Sequence, residues 1–338
     1  MNACPKTMVH GPCGGVHADG ACEVGEARCA FLDAAAVAQP AISPRERAPS
    51  GLGARELNAL MQRRPLICVD LLADPLSIEA IRSAAAAVAG HADAALLGDA
   101  PWARVQLPPV LRAQVVAAEG VRPWASLTCR DRNRVALEGE LAGLAAIGVP
   151  AVHCVTGDHP LLGHRPDAAA VFDVDSTRLA ALAADSGMLV SVAESPSAPP
   201  RERRPARMAA KAAAGADVCF VNHAAEPGEV EDFVGAVRAL APGVRCIVCV
   251  PLAVSAVGLE RLAAFVPGAV VPDTAIAAAG GDDPVGDAVR SAVATGEALL
   301  AVDGVDGIDL SAAAGPGEEL RVAGALALAA GALGGGDC

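Results

Sequence analysis

From residue 66 onward the chain alternates between short, nearly continuous apolar runs and longer stretches with apolar positions three and four apart. The runs are LICVDLL (66–72), AALLGD (94–99), WASLTC (124–129), AVHCVTGD (151–158), LVSVAES (189–195), ADVCFVN (216–222), RCIVCVPL (245–252) and GIDLSA (307–312). Between them lie segments such as RVALEGELAGLAAIG and TRLAALAADSG, helical in period and closed by a glycine. Apolar runs without in–out alternation are strands covered on both faces, and strands alternating with helices make a parallel sheet. Eight such units predict an α/β fold, a closed (β/α)8 TIM barrel. The rival is a doubly wound open sheet, which calls for a Gly-rich first turn. LICVDLLADP contains no GxGxxG.

The pattern fails before residue 50. The chain opens with CPKTMVHGPCGGVHADGACEVGEARC, which carries Cys4, Cys13, Cys22 and Cys29, and a Pro-, Ser- and Gly-rich stretch follows around residues 40–53. Residues 1–50 therefore read as a small cysteine-rich metal- or cluster-binding module with its linker, and residues 51–338 as the barrel. No CxxC pair occurs among the four, and zinc sites usually present at least one tight chelate of that kind. The Cys4-Pro5 and Pro12-Cys13-Gly14-Gly15 surroundings suit a [4Fe–4S] cluster better, because Pro and Gly let the backbone wrap closely around sulfide. Zinc is the alternative, and no metal at all is the third reading. His10 and His17 are possible substitute ligands, though a loop histidine is more often solvated. Cys246 and Cys249 spell a CxxC inside a strand, where residues three apart point to opposite faces and cannot chelate together.

Composition narrows the function. The chain has 338 residues and a net charge of −13, which argues against non-specific nucleic-acid binding. No basic segment precedes an apolar stretch at the start and no run is long enough to span a bilayer, so a cytoplasmic protein is expected. Eleven cysteines, several within apolar runs, fit a reducing compartment. Tyr is absent and aromatics make up 2% of the residues, so the sheet must be built from Val, Ile and Leu. A module of about thirty residues cannot bury a core of its own. It should pack on the barrel or on a second subunit, and a homo-oligomer is expected.

In such a barrel the chemistry belongs at the C-terminal ends of the strands. The polar residues there are Asp70, Asp99, Ser126, Thr128, Thr156 with Gly157 and Asp158, Glu194 with Ser195, Asn222 with His223, and Asp309. The plain reading of any one is a helix cap. That eight strand ends supply so many is less plain.

Three stretches carry a resemblance. LTCRDRNR (127–134), the TGD loop in AVHCVTGDHP, and KAAAGADVCFVN (211–222) occur in an order that resembles the methylenetetrahydrofolate reductase family, over about residues 60–330. The opening CPKTM…GPCGG…CEV segment is similar to the C-terminal module of that family's acetogen-type subunits, but in this chain it precedes the barrel. The resemblance implies a flavin, FAD or FMN, on the C-terminal face and reduction of 5,10-methylenetetrahydrofolate to the 5-methyl form. It implies that Asp70 stands where the family has a Glu that protonates the folate. It further implies that Asp158 lies beside flavin and substrate, that Lys211 lies near cofactor phosphates, and that Asn222 replaces a Gln bonding the pterin. Ser126, Thr128, Thr156 and Gly157 fall at the remaining cofactor-binding positions.

There are departures. Asp70 and Asn222 are each one methylene short, Ser126 replaces a common His, Thr156 a common Arg, and Ser195 a common aromatic. These losses motivate two other functions: a flavin-free protein that binds methylenetetrahydrofolate and passes its one-carbon unit on, or a flavin-less scaffold or electron-transfer subunit for a partner reductase. On the barrel reading, Asp70, Asp158 and Asn222 are expected to face one cavity, with one carboxyl pushing up the pKa of another.

Overall fold

The computed structural model describes residues 4–33, 47–99, 105–222, 226–265 and 273–334. The barrel portion runs α1 (Leu52–Arg63), β1 (Leu66–Asp70), α2 (Ile78–Val88), β2 (Ala94–Leu97), α3 (Pro109–Ala118), β3 (Pro123–Thr128), α4 (Arg134–Ala146), β4 (Ala151–Val155) and α5 (Ser176–Ala183). It continues with β5 (Leu189–Glu194), α6 (Arg204–Ala214), β6 (Val218–Val221), α7 (Pro227–Leu240), β7 (Arg245–Leu252), α8 (Ala256–Phe265), α9 (Asp273–Ala279), α10 (Pro284–Leu300), β8 (Val305–Ala312) and α11 (Glu319–Leu333). The eight strands are parallel and close in sequence order, with β1 paired to both β2 and β8. Each predicted apolar run is one of them. No described helix is long and apolar enough to cross a membrane.

The helix ends follow local chemistry. Asn133 of the LTCRDRN arm caps α4 by accepting from the Ala136 amide, and Asp175 caps α5 through the Thr177 and Arg178 amides. Gly148 and Gly187, which end the two helical patterns quoted above, both hold φ at +77°, a conformation that other residues adopt only with strain.

Two apolar layers result. Outward-facing strand residues such as Val69, Val152 and Val248 pack under the helices. Inward-facing residues, among them Leu66, Trp124, Phe220 and Ile247, fill the barrel axis, and α1 closes the N-terminal end with Ala54, Leu57 and Met61. Trp124 meets Phe220 edge-on at 5.1 Å, and its indole N–H donates to Ser191 Oγ at 2.8 Å. The CxxC of β7 divides as its strand geometry requires: Cys246 belongs to the outer layer and Cys249 to the inner.

The plug supplied by α1 is testable. Leu57 is fully buried, so Leu57→Ala should lower the unfolding free energy by about 2–5 kcal/mol. Chemical denaturation measures this, and a loss well under about 1 kcal/mol would show that α1 does not seal the barrel.

Candidate functional site

The cysteine segment lies over the C-terminal ends of β4, β5 and β6. Its anchors are mostly backbone carbonyls held by α6. Arg207 donates to the His10 carbonyl at 2.7 Å, and Arg204 donates to the Cys13 carbonyl at 3.1 Å. His10 is no solvated loop residue: its Nδ1 lies 2.8 Å from Asp175 Oδ2 at the start of α5, while His17 is exposed. Thr7 Oγ1 donates to the Phe172 carbonyl, and the His159 amide donates to Glu23.

Beneath these anchors sits a buried ionic cluster. Glu194, at the end of β5, points outward from the barrel axis and pairs with Arg204 at 2.9 Å, Lys211 at 2.8 Å and Arg207 at 3.5 Å. The three cations come from RPARMAAK at positions i, i+3 and i+7, one face of α6. Burial alone would raise the Glu194 pKa, but Lys211, Arg207 and Arg204 outweigh it and hold the carboxyl down at about 2. Lys211 also donates to the Ala193 carbonyl and is 3% exposed.

Two adjoining cavities open at this end of the barrel. One, of about 240 Å³, lies between the segment and the barrel and is walled by Lys6, Cys13, Glu23, Arg130, Asp158 and Arg207, among others. The second, of about 250 Å³, follows the barrel axis and is walled by Asp70, Ser126, His153, Asn222, Asp309 and Ser311, among others. Asp99, Val155, Ala193 and Asn222 border both. The structure thus divides the residues expected in one cavity: Asp70 lines the axial one, Asp158 the one under the segment, and Asn222 both.

The remaining sequence candidates have defined places. Thr128 Oγ1 donates to the Thr156 carbonyl, and a Cβ on Gly157 would stand 2.0 Å from that same oxygen, so the TGD loop needs its glycine for close approach. Thr156 Oγ1 accepts the Ser176 amide. With Lys211 paired to Glu194 and Thr156 engaged by α5, these residues do not fit a flavin phosphate site. His223 lies outside the described residues.

Several site residues escaped the sequence reading. Arg130, in the quoted LTCRDRN arm, is 2% exposed and binds Asp99 at 2.7 Å. Lys6 of CPKTM and Glu23 of CEV form a buried ion pair beside Cys13. Burial works to lower the Lys6 pKa, but the negative charge of Cys13, Glu23 and Asp158 outweighs it and raises the value. The i, i+3, i+7 basic spacing on α6 was the available signal for Arg204 and Arg207.

All four segment cysteines are partly exposed. Burial raises the Cys29 pKa, with further contributions from Cys4 and Cys22, and Cys4 acts similarly on Cys13. The thiols therefore lie in one another's field, and their chemistry suits a soft metal. Among the described residues, however, no three His, Cys, Asp or Glu side chains converge at metal-holding geometry, so the arrangement described is not a closed site.

The axial cavity holds the strongest electrostatic anomaly. Burial raises Asp70 to about 6, with the Ser311 hydroxyl opposing the shift, and it raises Asp309 well above the usual range, helped by the charge of Asp70. The neighbour that couples to Asp70 is therefore Asp309 on β8 rather than Asp158. His153 is pushed down to about 3 by burial and by Lys211, so it faces the cavity as a neutral imidazole.

Residues 1–43 match the protein family described as methylene-tetrahydrofolate reductase C terminal. No curated protein matches the chain. Among solved structures, one similar fold is an uncharacterized protein from Clostridium thermocellum that binds two copies of 5-methyl-5,6,7,8-tetrahydrofolic acid. It is 13% identical over 80% of this chain and 96% of that one, with a TM-score of 0.56. Mycobacterium tuberculosis tryptophan synthase is 14% identical over 84% of this chain and 97% of that one, with a TM-score of 0.46. At these identities the likeness is one of fold.

Removing the central carboxylate should be costly. Glu194→Gln leaves three buried cations without their counter-charge, and unfolding free energy should fall by about 3–5 kcal/mol. The pH dependence has a definite sign. Because the folded pKa is depressed, the carboxylate stabilises the fold fully above its ordinary value of 4.5, and the gain is lost as pH falls toward about 2. Denaturation curves between pH 7 and pH 2 should show this loss in the wild type and a smaller one in Glu194→Gln; identical slopes would remove Glu194 from the account.

Proposed function

We propose that this chain binds a reduced folate at the mouth of its barrel and reduces 5,10-methylenetetrahydrofolate to 5-methyltetrahydrofolate, with Asp70 as the acid. The observation that carries this reading is a carboxyl that lines the axial cavity and that burial pushes up to about 6, a position suited to proton donation near neutral pH. The family match of residues 1–43 supports it, as does the folate bound by the similarly folded Clostridium protein.

The chemistry asks little of the protein beyond placement. A proton from Asp70 passes to the bridging nitrogen of the methylene group, that C–N bond breaks, and its electron pair stays on the nitrogen. An iminium carbon is left, which would take its hydride from a reduced flavin or nicotinamide that the protein must recruit as the two-electron donor. Asn222, bordering both cavities, is placed to orient a ligand that extends from the axial cavity into the one under the segment. In this reading Cys4, Cys13, Cys22 and Cys29 hold a zinc ion or a [4Fe–4S] cluster that fixes the segment, and with it the wall formed by Lys6, Cys13 and Glu23.

A second reading is favoured by one observation. Lys211 and Thr156 have their polar atoms engaged within the protein, which suits a flavin-free protein that binds the folate and passes its one-carbon unit to another acceptor. The absorption spectrum of freshly purified protein separates the two. Flavin bands near 450 nm favour reduction with a resident flavin, and their absence together with tight folate binding favours transfer.

Asp70→Asn should leave 5-methyltetrahydrofolate affinity within a few-fold and abolish reductase turnover, because binding does not need the proton and ring opening does. In the wild type, kcat/KM should fall as pH rises through about 6 and the acid is lost. Turnover retained by Asp70→Asn would exclude Asp70 as the acid. For the cysteines, each Cys→Ser variant should lose metal, and full metal content in all four would reject joint ligation.

A further inference from the structure

Asp70 ends β1, and Asp309 lies within the adjacent β8 opposite Cys68, one inward-facing position deeper in the closed barrel. Both line the axial cavity. Ser311 follows Leu310, the register partner of Val69, and so stands beside Asp70; its hydroxyl donates to Asp309 Oδ2 at 3.1 Å. A serine hydroxyl carries one hydrogen, so it can donate to only one of two carboxylates. With that hydrogen on Asp309 Oδ2, Asp70 is left without it. Asp309 Oδ1 is buried and has no partner among the described residues, which leaves a position for a proton.

The surroundings offer no other counter-charge. Around the pair, Cys68 on β1 and Cys249 on β7 are neutral thiols with raised pKa values, owing first to burial. Cys249 Sγ donates to Asp309 Oδ2 at 3.7 Å. His153 on β4 is neutral, and Asp99 beyond β2 is already paired with Arg130. No Lys or Arg lines this cavity among the described residues. A fully buried carboxyl and a half-buried one beside it cannot both ionise at ordinary cost without a cation.

We propose that Asp70 and Asp309 share one proton in the axial cavity beside Ser311, with Asp309 and Ser311 as positioning residues that keep it available to Asp70 for delivery into the cavity. Asp70's role as the acid rests on the function proposed above; the shared proton does not. In delivery the Asp70 O–H bond breaks, an N–H bond forms on the ligand, and Asp70 is left as a carboxylate. Solvent resupplies the proton, and no oxidation state changes.

Infrared titration of the unliganded protein tests the shared proton without any folate. The wild type should retain the carbonyl-stretch band of a protonated carboxyl at neutral pH, and Asp70→Asn/Asp309→Asn should lose it. In Asp309→Asn the midpoint of the band should move down by about one pH unit or more, because the like charge is gone. The falling limb of kcat/KM, where turnover is measurable, should move the same way, a shift that lost stability alone would not produce. A wild type with no such band at neutral pH overturns the proposal, as does a band that survives the double substitution. Since the wild-type spectrum decides by itself, an Asp309→Asn protein that fails to fold leaves the test intact. A band behaving as expected in a protein without reductase turnover would preserve the shared proton and reject the reductase.

Discussion

One buried carboxylate joins the two parts of this protein. Glu194 leaves the barrel at the end of β5 and draws Arg204, Arg207 and Lys211 of α6 into a common cluster. Held there, the two guanidiniums turn their remaining N–H groups upward to the carbonyls of His10, Pro12 and Cys13. A segment too short to bury a core thus acquires a fixed seat through charge-assisted hydrogen bonds. The cost of burying three cations is offset only because one carboxylate and several carbonyls meet them together.

The seating of the segment shapes the mouth of the barrel. It encloses a polar cavity whose wall alternates cations and carboxylates, Lys6 with Glu23 and Arg130 with Asp99. The axial cavity beside it has a different character, with three carboxyls of which Asp99 alone meets an arginine, a neutral histidine and no cation among its described lining residues. Charge is balanced by ion pairs in the first and by protons in the second. Under the function proposed above, that contrast would suit a ligand with an extended polar part and a ring whose nitrogen needs a proton.

Much of the fold could be read from residue order. The eight apolar runs became the eight strands because uninterrupted Val, Leu and Ile segments are stable only when both faces are covered. The glycine stops, the Asn133 cap and the divided Cys246 and Cys249 followed from backbone geometry that operates over a few residues. Asp70 on the wall of a cavity was legible too, since strand position alone places it.

The partners of these residues were not legible. Asp158 was expected to share a cavity with Asp70, yet closing the barrel brings β8 against β1 and puts Asp309 in that cavity instead. Lys211 read as a phosphate contact until α6 turned it onto Glu194. His10 read as a solvated loop residue until the segment carried it to Asp175, which is 165 positions away in the chain. The sequence by itself determined the elements, their order and the strand ends that bear polar groups, because hydrophobic period and capping act locally. Only the tertiary structure decided which charges meet, since ion pairing and desolvation depend on distances that exist only after the barrel has closed and its N-terminal segment has folded over it.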